Sequence, residues 1–518
     1  MRFSARTFWI LIIAELVLGP TAVLAHVGSA DIYAEGNAGP YRLFITIRPP
    51  QVIPGVAEIE VHAEGSGGGV GADSSIAMAP IPLTGAASLR PPVADEMKQS
   101  AQDKQFFTGA LWIMASGSWQ VRFTVNGSQG KGLLSIPVAA TSSATRGMQT
   151  GLGWLLGCLG MLLAVGGVGI VGAAVRDAQL APGAVASASG RRRARIGMGL
   201  ALVVMIGVVW FGNAWWKSEA ESYGRYVYKP LKMRVVLGSN QMLNLKIEDP
   251  GWVKSRKIDD FVPDHDHLMH LYMIRQPGLD VVYHLHPERA GAGDYQLALP
   301  TMPAGTYRLY ADVVHATGFP ETLVAQVDLP EIAGRALERD DATGMAQPIS
   351  SQVGGANACA ANPAAGPRFR LPDGYTMVWD NAATRPAKTP QVFEFSLLGT
   401  DGRPAQDMAL YMGMPGHAAF VQDDGKVFAH VHPSGTVSMT ALMMAAAQNQ
   451  AIAPQASTMA AMPGMTMATD ASSGPPSSVG FPYGFPAAGA YRIFVQMKHG
   501  QTVETAAFDA CAGEPAAQ

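Results

Sequence analysis

Two apolar runs, 151–175 and 196–216, constrain this chain more than any other feature. With 25 and 21 residues, each is long enough to cross roughly 30 Å of hydrocarbon as a helix. The segment between them, 176–195, carries Arg176, Arg191, Arg192, Arg193 and Arg195. Short Arg-rich loops stay in the cytoplasm, so residues 26–145 and 217–518 are both expected on the far side of the membrane. Trp210, Trp215 and Trp216 gather at the end of the second run, where interfacial aromatics belong. The alternative is a pair of buried core helices. Gly167-Val-Gly169-Ile-Val-Gly172 matches a dinucleotide-binding pattern, but it lies inside an apolar span with no preceding strand, so that reading is rejected. These glycines, with Gly153 and Gly157, suit close helix–helix packing instead.

Residues 1–25 have the pattern of a secretory signal: Arg2 and Arg6, a short apolar stretch over 8–18, and small residues up to Ala25. The mature chain would begin at His26, and a bacterial inner membrane with large periplasmic domains is the expected setting. Of 518 residues only 15% are charged, and the net charge is −3. No basic field exists to hold nucleic acid. Three Cys exclude a disulfide-dense scaffold and a Cys-based zinc or iron–sulfur site, which leaves 26 Met and 12 His as the soft and borderline ligands.

Outside the membrane the pattern is mainly β. Tyr41-Arg-Leu-Phe-Ile-Thr-Ile, Ala57-Glu-Ile-Glu-Val-His and Trp119-Gln-Val-Arg-Phe-Thr-Val alternate apolar and polar residues between Gly/Pro breaks. A period of two marks half-buried strands, and short strands at such spacing predict a β-sandwich over 26–145. Met233-Arg-Val-Val-Leu and Tyr307-Arg-Leu-Tyr-Ala-Asp-Val continue the pattern, predicting a second sandwich over 217–334. A linker, 335–367, leads to a third over 368–518.

The second and third sandwiches are duplicates. His270-Leu-Tyr-Met-Ile and Tyr-His284-Leu-His286-Pro287 align with His417-Ala-Ala-Phe-Val and Ala-His430-Val-His432-Pro433. Both copies then reach a similar strand start, Gly-Thr-Tyr307-Arg308 and Gly-Ala-Tyr491-Arg492, but the later copy is longer between the two by an insertion over 443–480. The insertion is rich in Ala, Ser, Pro and Met and is expected to be disordered.

In a strand, residues two apart share a face, so each His-x-His can present two imidazoles to one ion. In the first copy His265, His267 and His270 join His284 and His286. In the later one His430 and His432 are joined by Met412, Met414 and His417. Imidazole suits copper, zinc and nickel alike, while thioethers select Cu(I), so the mixture favours copper. The first cluster would then prefer Cu(II) and the Met-bearing one Cu(I). The bland reading is that the duplicated histidines end a strand and bond to a turn. Whether the clusters are separate or shared stays open.

Three further features bear on metal or stability. Met459, Met462, Met465 and Met467 offer thioethers in the insertion. A mature N-terminal His26 can bind Cu(II) through its amine and ring, with His62 as a third nitrogen. Cys359 and Cys511 bracket the third sandwich and can pair in an oxidising compartment, closing a loop worth about 4–5 kcal/mol in the chain-entropy account. Cys158 lies in a span and should stay free.

The Tyr41-Arg-Leu-Phe-Ile strand, Gly117-Ser-Trp119-Gln-Val-Arg and the His-x-His-Pro segments resemble the YtkA-like and CopC-like group of small exported β-sandwich domains, some associated with copper. The resemblance implies immunoglobulin-like sandwiches and copper handling. This chain departs from the pattern by joining three such units around two spans. A fold shared with a family does not establish a role. The leading reading is a membrane-anchored periplasmic copper protein for homeostasis, delivery or resistance, with periplasmic copper proteins as partners. A mononuclear metalloenzyme and a non-metal envelope scaffold are the alternatives. No Cys accompanies either cluster, which argues against an electron-transfer centre built on thiolate.

Overall fold

The computed structural model describes residues 31–515 apart from 66–68, 72, 146, 179, 182, 253–255, 350–365 and 453–473. The signal segment, His26, Cys359 and the four insertion methionines therefore lie outside the described residues. Alternation dictates the first unit. Ile32–Ala38, Tyr41–Arg48, Gly55–Gly65, Phe106–Ile113 and Lys98–Gln99 form one antiparallel sheet, and Asp95–Glu96, Ser75–Pro82, Gly117–Gly127 and Gly130–Ala140 form the other. Leu43, Ile45 and Ile47 from one sheet meet Val121, Phe123 and Val125 from the other in a single core.

Helix α1 (Thr150–Asp177) and helix α2 (Ala188–Gly224) follow, both long and apolar enough to cross a membrane. Both extend past the expected runs, and α2 starts early because the Arg191–Arg195 stretch is itself helical and Ser187 caps it by accepting from the Gly190 N–H. The helices pack where small residues allow: a Cβ on Gly172 would meet the Met198 sulfur at 2.6 Å, whereas Gly157 faces open space. Beyond α2, the Tyr228 N–H donates to the Ser142 carbonyl (2.7 Å), so the chain enters and leaves this hairpin at one place.

The second and third units repeat one architecture. In each, a four-stranded sheet faces a six-stranded one. The strand His270–Gln276 sits between Val281–Leu285 and Gly305–His315, just as His417–Gln422 sits between Phe428–Val431 and Gly489–His499. Leu271, Met273, Tyr283 and Leu285 fill the core of the second unit, and Ala418, Phe420, Ala429 and Val431 that of the third. The opposite faces of these strands are also apolar. Tyr272, Ile274 and Val282 pack against Ala419, Val421 and Phe428, so the two copies are joined sheet to sheet through a core of their own. Burial on both faces explains why these strands read as continuous apolar runs rather than clean alternation.

Two expectations need correction. The insertion does not begin as disordered chain: Met439–Ile452 is helix α3, opened by Ser438, whose hydroxyl accepts from the Ala441 N–H (3.3 Å). Ala, Met and Gln are strong helix formers, and the helix docks on the first sandwich. There Ala441 and Ala445 pack on Leu83, and Arg122 and Ser135 both donate to Asn449 Oδ1 at 2.8 and 3.0 Å. Nor is 335–367 a simple linker. Its residues Ala342–Met345 extend the second unit's sheet by pairing with Val281–Leu285, which satisfies that strand's otherwise open edge. Cys511 is disulfide-bonded and Cys158 is free.

Candidate metal centre

Register decides where the histidines point. Tyr272 pairs with His284, and His430 with Ala419. His270 and His284 therefore leave their sheet on the face turned toward the other copy, and His417 and His430 do the same from the opposite side. The duplicated segments meet with their histidine ends together. All eight cluster histidines (His265, His267, His270, His284, His286, His417, His430 and His432) occupy one buried junction instead of two sites. His265 closes it: the turn Asp264–His267 places His265 with φ 49°, and its ring centroid lies 5.1 Å from both His417 and His432.

Two triads result. In one, the ligand atoms of His270, His284 and His286 lie within 4.8 Å of one another; in the other, those of His265, His417 and His432 do. The second triad draws residues from both copies. His430 stands between the two, its ring centroid 5.6 Å from His270 and from His284 and 4.6 Å from His432. His267 stacks on His286 at 3.7 Å.

Each ring of the first triad is oriented from behind. His270 Nε2–H donates to the Asp264 carbonyl (2.9 Å). His284 Nδ1 lies 2.9 Å from Gln496 Oε1 and 3.2 Å from the Tyr411 hydroxyl, which in turn donates to the Asp340 carbonyl (2.7 Å). His286 Nδ1–H donates to the Asp341 carboxylate (3.2 Å), itself paired with Arg335. The Asp264 carbonyl fixes His270 as the Nε2–H tautomer, so its Nδ1 is an acceptor. That nitrogen lies 3.1 Å from His284 Nε2, which donates to it in one tautomer of His284 and can share a cation with it in the other. Two imidazole nitrogens on one tetrahedral ion at roughly 2.0–2.1 Å sit about 3.3 Å apart, so the separation also suits two ligands of one ion.

The second triad is anchored less. His432 Nδ1–H donates to the Val437 carbonyl (3.1 Å), and the Met412 backbone supports His265. Both nitrogens of His417 are buried without a partner, as are Nε2 of His265, His286, His430 and His432. Burial, reinforced by the surrounding imidazoles, pushes His270, His284, His417 and His432 well below the ordinary 6.5. Burial also lowers His265 against Asp264, and His286 against Asp341. These six rings are neutral, which is the form that binds metal. The carboxylates stand one step out, Asp340 3.4 Å from His267 Nε2 and Asp312 3.3 Å from His430 Nδ1. Such partners behind the ligands orient them and raise their basicity.

Not every expected ligand takes part. Met414 is buried in the first sandwich's core cluster beside Val437 and Met439, its thioether used for packing. The two methionines of the 411–414 turn stand where the first copy has His265 and His267, because both turns close by the same bridge, Asp264 with His267 and Tyr411 with Met414. The two histidine clusters, one per copy, are thus brought into one junction in which one triad comes from the first copy alone and the other is shared between the copies. Gln496, Tyr411, Asp340 and Asp341 were not anticipated. The Asp-Asp pair beside Arg335 was a signal in the linker, whereas Gln496 carried none. The first sandwich also holds the centre. The Glu35 N–H donates to the Ser434 carbonyl (2.9 Å), and the Thr436 N–H to that of Tyr33 (2.9 Å), just past His432. A Cβ at Gly435 would lie 1.9 Å from the Tyr33 carbonyl oxygen, so only glycine fits this crossing. The Thr440 N–H of α3 donates to Asp264 Oδ1 (2.7 Å), fixing the turn that carries His265.

A cleft of about 1030 Å³ opens where the three sandwiches meet, lined by His267, His270, His430 and His432 together with Pro50, Tyr228 and Phe319. A smaller group lies elsewhere on the third unit. His499 has Asp373 at 2.9 Å from Nε2, Asp407 at 3.1 Å from Nδ1 and Tyr375 stacked on its ring at 4.0 Å. His499 Nδ1–H donates to Asp407, while Nε2 makes no hydrogen bond and forms, with Asp373 and Glu504, a third group of ligand atoms within 4.8 Å of one another.

The family described as Domain of unknown function (DUF8832) matches residues 224–329 and 370–514, the two duplicated sandwiches that build the centre. No curated protein matches. Similar solved structures include dimeric latent PorU from Porphyromonas gingivalis, at 6% identity over 94% of this chain and 34% of that one, TM-score 0.14. Escherichia coli alpha-2-macroglobulin matches at 9% identity over 92% and 35%, TM-score 0.18. The chicken CNTN1 FN1–FN3 domains match at 8% over 90% and 97%, TM-score 0.13. The chain spans about a third of the length of the first two, at 34% and 35%.

Proposed function

We propose that this chain is a membrane-anchored copper protein whose eight-histidine centre holds the metal for copper homeostasis, delivery or resistance on the periplasmic side of a bacterial inner membrane. The observation that carries this reading is the set of buried imidazole nitrogens without a hydrogen-bond partner in one junction, both of His417 and Nε2 of His265, His286, His430 and His432. A buried polar group without a partner costs free energy, and metal ions held by the two triads would satisfy these nitrogens together. A ligand set of neutral imidazoles with no coordinating carboxylate suits copper, zinc or nickel and disfavours magnesium and calcium. Copper is preferred among the three on its affinity for nitrogen sites. The two apolar helices, with Arg176 at the end of the first and Arg191–Arg195 in the opening turns of the second, support the anchoring and its orientation.

The test is metal analysis of the full chain in detergent after exposure to Cu(I), Cu(II), Zn(II) or Ni(II) and removal of excess. Stoichiometric copper that is lost in the His286→Ala/His432→Ala double variant is the expected result. If no metal is retained, the duplicated sandwiches are an envelope scaffold and the copper reading fails.

A further inference from the structure

The two triads are too close to act independently. The nearest rings across them, His265 with His270 and His284 with His417, have centroids 6.1 and 6.5 Å apart, and His430 stands between the sets with Nε2 unpartnered. Three imidazoles per ion leave a coordination position to be filled by an outside ligand. The interdomain cleft is lined by His270 of one triad, His432 of the other and His430 between them, so it is the side from which a small molecule would approach both sets.

Charge decides what that molecule is. Every ring that faces an ion is uncharged on binding, and the nearest carboxylates, Asp312, Asp340 and Asp341, sit behind the rings. Two cations in such a site repel strongly because the surroundings screen them poorly. The repulsion is least with two Cu(I). An oxidised pair needs an anion between its members. A ligand that becomes a dianion by taking one electron from each ion fits both requirements, and dioxygen chemistry is characteristic of copper.

We propose that the centre is binuclear, with one copper on His270, His284 and His286 and one on His265, His417 and His432, and that the pair binds dioxygen between them. This rests on the copper reading above. In the step, each Cu(I) gives up one electron and becomes Cu(II), while dioxygen gains two and is held as peroxide bridging the ions. No proton moves and no other reductant is consumed. His430 supplies a further nitrogen at the contact between the triads. Because His265 belongs to the second sandwich and its two partners to the third, the pair exists only while the two copies stay docked.

The experiment loads the full-length chain in detergent with Cu(I) under anaerobic conditions, counts the copper, then admits dioxygen in known amount. Two coppers per chain, uptake of one dioxygen for each pair, and oxidised copper that gives no electron paramagnetic resonance signal because the ions are coupled are the expected results. His265→Ala should retain one copper and lose the uptake, while His499→Ala should change neither. Two coppers with no uptake, or with the full signal of isolated Cu(II), overturn the paired centre and leave the copper reading standing. No bound copper at all sinks both. Because the wild-type measurements decide the matter alone, a misfolded variant does not rescue the proposal.

Discussion

The two triads are made from the same repeated sequence, yet they are held differently. His270, His284 and His286 all come from one sandwich, and each is oriented from behind by the Asp264 carbonyl, Gln496 and Asp341 respectively. His417 and His432 come from the other sandwich, borrow His265 from the first copy, and leave both nitrogens of His417 without a partner. A duplicated motif therefore yields one triad whose ligands all come from one copy, with Gln496 of the other copy orienting His284, and one triad whose ligands come from both copies. Divergence in a single turn made the difference, where His265 and His267 stand opposite Met412 and Met414.

The largest expected effect separates the triads by metal count. His284→Ala should lose the ion of the single-copy triad, and His417→Ala that of the shared one, each halving the copper found by elemental analysis. If either variant loses all copper or none, the triads are not distinct. Removal of metal comes next. At a free concentration one hundred times the dissociation constant, binding stabilises the folded state by about 2.7 kcal/mol per site. Chelation should therefore lower the unfolding free energy on that scale and loosen the contact between the copies. Unfolding that is unchanged by chelation would mean that the shared triad does not link them.

Asp341→Asn sharpens the comparison at one ring. Loss of a partner behind a ligating histidine typically weakens metal binding by about 10- to 100-fold. Competition against a copper chelator should show that loss for one ion and leave the other as it was.

A smaller effect lies away from the centre and serves as a control. His315 is buried between Asp260 (2.6 Å) and Glu321 (2.9 Å), with Arg256 and Tyr228 also on Glu321. Burial alone would lower it, but the bonds to Glu321 and Asp260 prevail and raise it above the ordinary 6.5. A raised histidine contributes stability that is fully present below its unfolded value near 6.5 and is lost as pH climbs through the folded one. Wild type should lose its advantage over His315→Gln as denaturant titrations move upward from pH 6.5, with copper content unaffected. A pH-independent difference would remove the charged histidine from the account.

Met414→Leu is expected to do least. As a near volume-conserving core change it costs under about 1.5 kcal/mol, and Cu(I) affinity should not move. A fall in that affinity would return Met414 to the ligand set.

What could be read in advance follows from which interactions are local. Alternation in Tyr41–Arg48 or Met242–Glu248 is a property of one strand, and the His-x-His-Pro duplication is visible by alignment. The merging of the clusters depends on Tyr272, Ile274 and Val282 meeting Ala419, Val421 and Phe428, a pairing of two apolar faces that no single segment encodes. Met414 misled because a thioether suits copper and a hydrophobic core equally. Helix α3 was hidden by the low complexity of its surroundings, although Ser438 followed by Ala, Leu and Met is a helix start. Gln496 lies over 200 residues from His284, the distance |i−j| being 212, and nothing near it marks it as a partner.

The most direct measurement is anomalous scattering at the copper absorption edge from crystals of the copper-loaded chain. Two peaks are predicted, one within reach of His270, His284 and His286 and one within reach of His265, His417 and His432. No peak in the junction, or copper only at the His499 group, would contradict the account.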